Sequence, residues 1–192
     1  MMTRILGKRF FRTKNIYSLQ LRNTRDYLGS LMVNKYSNSS EIIRTFEDDD
    51  LERILEIYED GFGNQTNTQI IKYSKQFRNI FYVYEINGVI AGYLGFYVHL
   101  KRKGPNIIQI ATAFSGAVSE NMQGKGIFTT LYNESLSELK NNGVQAVYGY
   151  VNTKNERSLA IHYRLGFEIV DFIKHYYKTD DAFKIELKLH DN

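Results

Sequence analysis

The sequence predicts a mixed α/β fold, a central sheet with helices on both faces, and three observations carry that prediction. Asn87-Gly88 stands between two apolar runs, the strongest short-range signal for a β-hairpin. From Ile107 to Leu189 strand-like and helix-like segments alternate, as β-α-β crossings require. Leu51, Ile54, Leu55 and Tyr58 recur at i, i+3, i+4, i+7, which gives a helix one apolar face. A chain of 192 residues suits one domain with an appendage.

The appendage comes first. Residues 1–40 carry eight basic side chains (Arg4, Lys8, Arg9, Arg12, Lys14, Arg22, Arg25, Lys35) and one acid, Asp26, a net charge of +7 in a chain whose total is +4. A basic arm on a mildly acidic body implies an anionic partner, nucleic acid or a membrane surface, or else a solvated extension. An Arg-rich, acid-poor start also resembles an organellar transit peptide. Against that, Tyr17, Leu21, Leu28 and Met32 look like one face of an ordinary helix. Ser37–Ser40 reads as a linker, so the expected division is a basic extension over 1–40 and a folded domain over 41–190.

Within the domain, Glu41–Phe46 is a short strand candidate. Asp48-Asp49-Asp50 opens the first helix, with Asp49 and Glu52 at capping-box spacing, and Gly61-Phe62-Gly63-Asn64 breaks it. A second helical segment spans about Thr68–Phe77. Ile80–Ile86 and Val89–Leu100 are the hairpin strands, and Lys101–Pro105 is a turn. Ile107–Val118 is extended, with a bulge or bend expected at Ser115-Gly116. A glycine-rich segment follows, then a helix with apolar Phe128, Leu131, Leu136 and Leu139, closed by Asn141-Asn142-Gly143. Val144–Val151 is a strand, Glu156–Leu165 a helix closed by Gly166, and Phe167–Tyr177 and Ala182–Leu189 are the last strands.

Composition narrows the chemistry. The chain has no cysteine, which excludes disulfides and thiolate–metal sites and makes a reducing compartment, the cytoplasm, the default; an organelle is the alternative if the arm is a transit peptide. No apolar run approaches the roughly 20 residues of a membrane span. His99, His175 and His190 are isolated by spacing, so no metal site is expected. Exposed edge strands make a homodimer a reasonable expectation.

The segment Val118 to Phe128 runs from a strand into the first turn of a helix, where free N–H groups and the helix dipole point at an anion. Gly124 and Gly126 let the backbone approach a phosphate, and Lys125 adds a charge. A tight turn that binds nothing is the competing reading of a lone Gly-x-Gly. There is no Gly-x-x-x-x-Gly-Lys-Ser/Thr phosphate loop, and the dinucleotide fingerprint lacks its third glycine.

Ala117-Val118, a short spacer and Gln123-Gly124-Lys125-Gly126-Ile127 resemble the acetyl-CoA motif of the GCN5-related N-acetyltransferase (GNAT) superfamily, Gln/Arg-x-x-Gly-x-Gly/Ala. Phe128 stands where that motif has glycine or alanine. A second segment, Asn155 to Phe167, resembles the family's Asn-x-x-Ala/Ser-x-x-x-Tyr/His-x-x-x-Gly-Phe. The resemblance covers about 41–190 and implies a mixed, mostly antiparallel sheet and transfer of an acetyl group from acetyl-CoA, without a metal, to a primary amine on a small molecule, peptide or protein. It implies that Gln123, Gly124, Lys125, Gly126, Ile127 and Phe128 hold the pyrophosphate. The main chain of Ala117 and Val118 would pair with the pantetheine amides, and Asn155 and Ser158 would line the arm. His162 occupies the family's tyrosine position, with Tyr163 one step later, and both side chains are competent to give a proton to the departing thiolate. Register favours His162. No glutamate lies on Ile107–Val118, so the base is left among Glu85, Tyr82, Tyr84, Tyr93, Tyr97 and water. The alternative is an acyl-CoA-binding module or scaffold without turnover, its basic arm docked on an anionic partner.

Overall fold

The computed structural model describes residues 22–34, 42–63, 68–177 and 179–190. Tyr17, Leu21, Lys35 and the linker Ser37–Ser40 lie outside the described residues. The sheet contains β1 (Ile43–Thr45), β2 (Phe81–Ile86), β3 (Val89–Lys103), β4 (Asn106–Val118), β5 (Val144–Asn152), β6 (Glu168–Tyr177) and β7 (Asp180–Lys188), in the order β1-β2-β3-β4-β5-β7-β6. Neighbours are antiparallel except β4 and β5, so the sheet is mixed and mostly antiparallel, as expected. The helices are α1 (22–31), α2 (Leu51–Phe62), α3 (Thr68–Gln76), α4 (Ile127–Asn141) and α5 (Glu156–Arg164). Among the described residues no helix is long and apolar enough to cross a membrane.

Side chains alternate across a strand, and β3 shows what each face meets. Leu94, Phe96 and Val98 join the cluster that includes Leu131, Tyr132 and Leu139 of α4. Tyr93 joins Ile54 and Ile57 of α2 and Ile70 of α3 in a second cluster. Burying a side chain the size of Ile54 contributes about 2 kcal/mol, so both faces of this half of the sheet are held by packing. Beyond β4 the sheet is covered on one face only. Val147 and Val151 of β5 are buried with α4, while Tyr148, Tyr150 and Asn152 on the opposite face stay half-buried.

Three local expectations are corrected. The capping box is Glu47 with Asp50, not Asp49 with Glu52, and it closes a short 3-10 turn, Asp48–Asp50, that leads into α2: the Glu47 N–H donates to Asp50 Oδ2 at 2.7 Å, and Asp50 takes both Nη groups of Arg44 at 2.8 Å. The bulge falls at Phe114, between the pairs Gly95↔Ser115 and Phe96↔Ala113, because its ring turns toward Tyr73 and Phe81 and takes its backbone out of register. In α1 the expected apolar face is exposed, with Leu28 and Met32 more than half open. The helix docks instead through Gly29, Ser30 and Val33, because β3 offers it unpaired main-chain groups as well as an apolar surface.

Candidate active site

The site begins where β4 and β5 part. β4 is paired with β3 along its whole length, from Asn106↔Lys103 to Val118↔Gly92. On its other edge it pairs with β5 only from Gln109↔Val144 to Thr112↔Tyr148. β5 then follows β7 as far as Asn152↔Ala182. Past Thr112 the two parallel strands diverge into a wedge, one wall of which is the free edge of β4 from Ala113 to Val118. The Phe114 bulge lies at the mouth of this divergence and adds the local twist that turns β4 away.

The glycine turn closes the wide end of the wedge. Gly124 and Gly126 have φ of +77° and +80°, a region that costs other residues about 1 kcal/mol. A Cβ at either would meet nothing within 4 Å, so both face open space. The first main-chain bond of α4 runs from Thr130 N–H to Gly126 C=O, 3.0 Å, leaving the amides of Ile127, Phe128 and Thr129 without an intrahelical acceptor. Turn and helix start together offer an anion several N–H groups and the positive end of a dipole. That is a donor set suited to a pyrophosphate. Lys125 is exposed beside Met122, its Nζ 3.2 Å from Sδ.

Phe128 does not block the turn. Its ring points inward, with Cε2 3.0 Å from where a Gly116 Cβ would stand, and meets Tyr132 and His162 at centroid distances of 5.2 and 6.4 Å. Gly116, bare on β4, is what makes room for it.

The second predicted segment is joined to the first. Gln123 Nε2 donates to Val118 C=O at 3.2 Å, and its Oε1 accepts from Arg157 Nη1 of α5 at 2.7 Å. Asn155 caps α5, its Oδ1 accepting from Ser158 N–H at 2.9 Å. His162 is buried against Phe128, Tyr132 and Phe167. Its Nδ1 lies 2.7 Å from Ser158 C=O, and a carbonyl can only accept, so Nδ1 carries the proton. Nε2 therefore accepts from Tyr132 O–H at 2.9 Å. Burial pushes the imidazole below its ordinary value, the Ser158 carbonyl opposing, so it is neutral at pH 7. Tyr163 stands more than half exposed, about 100° round the helix from His162. The fold thus ties α5 to the glycine turn through Arg157 and Gln123, sets His162 beside Phe128, and leaves Tyr163 exposed.

On the uncovered face, at the narrow end of the wedge, lies an aromatic cup that sequence reasoning did not assemble. Tyr73, Tyr97 and Phe114 contact one another at 5.1 to 6.4 Å. Tyr150 stacks on Tyr176 at 4.6 Å, and Tyr177 O–H donates to Tyr150 C=O at 2.7 Å. The first group stands on α3, β3 and β4 and the second on β5 and β6, the two sides of the strand divergence. The one local signal was the Tyr176-Tyr177 pair before a strand turn. Of the base candidates, Glu85 is held by Arg44 at 2.8 Å, Tyr82 and Tyr93 are buried, and Tyr97 faces the cup. Among the described residues no group of three or more His, Cys, Asp or Glu could hold a metal. A cavity of about 230 Å³ lies elsewhere, between α1 and residues 75–80. The wedge itself is an open cleft.

A parted β4–β5 pair, a glycine turn at a helix start and a tethered second helix define an acetyltransferase architecture. Residues 47–167 match the model of the Acetyltransferase (GNAT) family, and the chain belongs to that family of N-acetyltransferases. Among curated proteins it is similar to the N-alpha-acetyltransferase of Sulfurisphaera tokodaii, 29% identical over 121 residues, 59% of this chain and 71% of that protein. The N-alpha-acetyltransferase of Saccharolobus solfataricus is 27% identical over 150 residues, 73% of this chain and 89% of its own. Among solved structures, Ard1 from Thermoplasma volcanium superposes with a TM-score of 0.66 at 20% identity, covering 78% of this chain and 97% of its own. Chaetomium thermophilum Naa20 in complex with a bisubstrate analogue gives 0.64 at 19% identity, covering 76% and 85%.

Proposed function

We propose that the protein transfers the acetyl group of acetyl-CoA to the α-amine of a peptide or protein chain. The observation that carries this reading is the continuity of the cleft: the anion-binding turn, the free edge of β4 and the aromatic cup lie in line along one wedge. Two of the curated relatives named above are called N-alpha-acetyltransferases, which supports the choice of acceptor.

Acetyl-CoA would supply an activated thioester, so that transfer breaks a C–S bond, forms a C–N bond and leaves protons to be placed. The amides from Gly124 to Thr129 would hold the pyrophosphate, with Lys125 adding charge. The edge of Ala117 and Val118 would pair with the pantetheine amides, beside Asn155 and Ser158. On the acceptor side Tyr97, Phe114, Tyr150 and Tyr176 would line the path of the acceptor chain and help to keep water from the amine. His162 is the titratable group carried to the thiol end. In the form described, its Nε2 accepts a hydrogen bond from the Tyr132 hydroxyl, which keeps the proton, beside Phe128.

The test is mass spectrometry of peptides with free α-amines and internal lysines after incubation with acetyl-CoA. Acetylation on the α-amine is expected, with His162→Ala lowering kcat by about a hundredfold and Tyr163→Phe changing it less than about twofold. Binding of acetyl-CoA without transfer to any amine would leave a binding module instead.

A further inference from the structure

The ring of Tyr176 is placed by an irregularity in the last hairpin. β6 and β7 pair at Ile173↔Ala182 and next at Tyr177↔Asp180. Between these pairs β6 runs through Lys174, His175 and Tyr176, while β7 runs through Asp181 alone. Within this bulge His175 takes φ of +55°, the left-handed region that a side chain with a Cβ rarely adopts. Among the described residues the other such case is Asn87, in the Asn-Gly turn that calls for it. His175 has no turn of that kind to explain it, so its neighbours must hold it there. One does: the His175 N–H donates to Asp181 Oδ1 at 2.8 Å, a charge-assisted bond across the bulge. The consequence falls on the next residue. Tyr176 lies flat on Tyr150 with ring planes 9° apart, and Tyr177 meets Tyr176 edge to face at 4.8 Å.

The same stretch of β7 grips the chain that leads into α5. Asp181 C=O accepts from Thr153 N–H at 3.1 Å. Asp180 Oδ2 accepts from Asn152 Nδ2 at 3.0 Å, and its Oδ1 accepts from Lys154 Nζ at 2.6 Å. Asn152 C=O in turn accepts from the N–H of Asn155, the cap of α5, at 2.9 Å. Two adjacent aspartates therefore have different charges. The Asp180 carboxylate holds the loop before α5, and the Asp181 carboxylate holds the bulge.

We propose that Asp181 is a positioning residue for the acceptor side: by holding His175 in left-handed backbone it fixes the Tyr176 ring against Tyr150, beside the path of the acceptor chain. The proposal rests on the acetyltransferase reading of the same cleft. Asp181 acts through Tyr176 and not on the substrate. Without its carboxylate, His175 is free to return to extended backbone, and β6 slips toward regular pairing with the ring lifted off Tyr150. Glycine at position 175 takes positive φ without a steric penalty, so it keeps the bulge when the carboxylate is gone.

The experiment is steady-state kinetics with acetyl-CoA and a peptide bearing a free α-amine, on wild type, Asp181→Ala, Tyr176→Ala, their double variant, and Asp181→Ala combined with His175→Gly. Asp181→Ala is expected to raise the acceptor KM about threefold, with kcat and the acetyl-CoA KM unchanged. It should add nothing once Tyr176 is alanine, and His175→Gly should restore most of the loss. A rise that is as large in the Tyr176→Ala background, that His175→Gly does not relieve, or that falls on kcat instead overturns the proposal and leaves the acceptor side standing. If Tyr176→Ala itself leaves the acceptor KM unchanged, the aromatic side of the wedge is not the acceptor side, and this proposal falls with that reading. Amide exchange at His175, slow in wild type and fast in Asp181→Ala, checks the bond without any turnover; equal rates overturn the proposal. Should Asp181→Ala not fold, Asp181→Asn keeps an oxygen acceptor and loses only the charge. It must then raise the acceptor KM about twofold, again without effect in the Tyr176→Ala background, or the proposal fails.

Discussion

The two ends of the wedge are made of different material. At the cofactor end the groups suited to an anion belong to the main chain: the amides after Gly126 and the free edge of β4. At the proposed acceptor end they are side chains, Tyr73, Tyr97 and Phe114 of α3, β3 and β4 in one contact group and Tyr150 and Tyr176 of β5 and β6 in another. A main-chain site depends on a local conformation, and a few adjacent residues specify it. A side-chain site depends on which strands become neighbours, which no short stretch of sequence specifies. The first end suits a constant ligand; the second can be rebuilt residue by residue without disturbing the sheet.

The sharpest break of that contrast is Gly126→Asp. The site needs φ of +80° there and an approach free of negative charge, so the variant is expected to weaken acetyl-CoA binding by about a hundredfold or more. Gly126→Asn adopts left-handed backbone more readily and adds no charge. Calorimetry should therefore find a smaller loss for asparagine than for aspartate. Equal losses would mean that backbone shape, and not charge at the turn, governs the cofactor end.

Next in size is the other end. Tyr176→Ala removes the ring stacked on Tyr150 and opens one side of the cup. The acceptor KM should rise about fivefold, since an aromatic stacking contact is worth roughly 0.5–1.5 kcal/mol, while the affinity for acetyl-CoA stays unchanged. Steady-state kinetics in both substrates would show it. A change in acetyl-CoA affinity would mean that the two ends are not independent.

What the sequence made legible follows the same division. Gly124, Gly126 and the apolar helix after them can be read as a strand-to-helix turn because each signal lies within a few residues of the next. Asn155, Ser158 and Gly166 frame α5 for the same reason. The mixed sheet with helices on both faces was implied by the Asn87-Gly88 hairpin and the crossings that follow, while its strand order, with β7 between β5 and β6, was not. The docking face of α1 was not legible: periodicity finds the most apolar face, and Leu28 and Met32 are more apolar than Gly29 and Ser30. The preference for Gly29 and Ser30 comes from unpaired groups on β3, which exist only because β2 is short. The cup was hidden likewise, since tyrosines at 73, 97, 150 and 176 share no local pattern.

The smallest expected effect compares two histidines, one at each end. His162 beside the glycine turn and His99 on the acceptor face are both held below the ordinary histidine value by burial; for His99, with Arg25, Lys101 and Lys184 adding to the effect, it falls to about 4. In the unfolded chain both titrate near 6.5. Between 6.5 and about 4 the unfolded state therefore binds more protons than the folded one, so stability is full above 6.5 and declines as pH falls through this window. Carboxylates titrate mostly below pH 5, which leaves the step from 7 to 5.5 to the histidines. Thermal melting should drop by about 3 °C across that step. His99→Gln should remove part of the drop and leave acetyl-CoA binding alone, because glutamine takes no proton and His99 lies at the end of the wedge away from the turn. A drop of the same size in His99→Gln would place the whole pH dependence at His162, and so at the cofactor end.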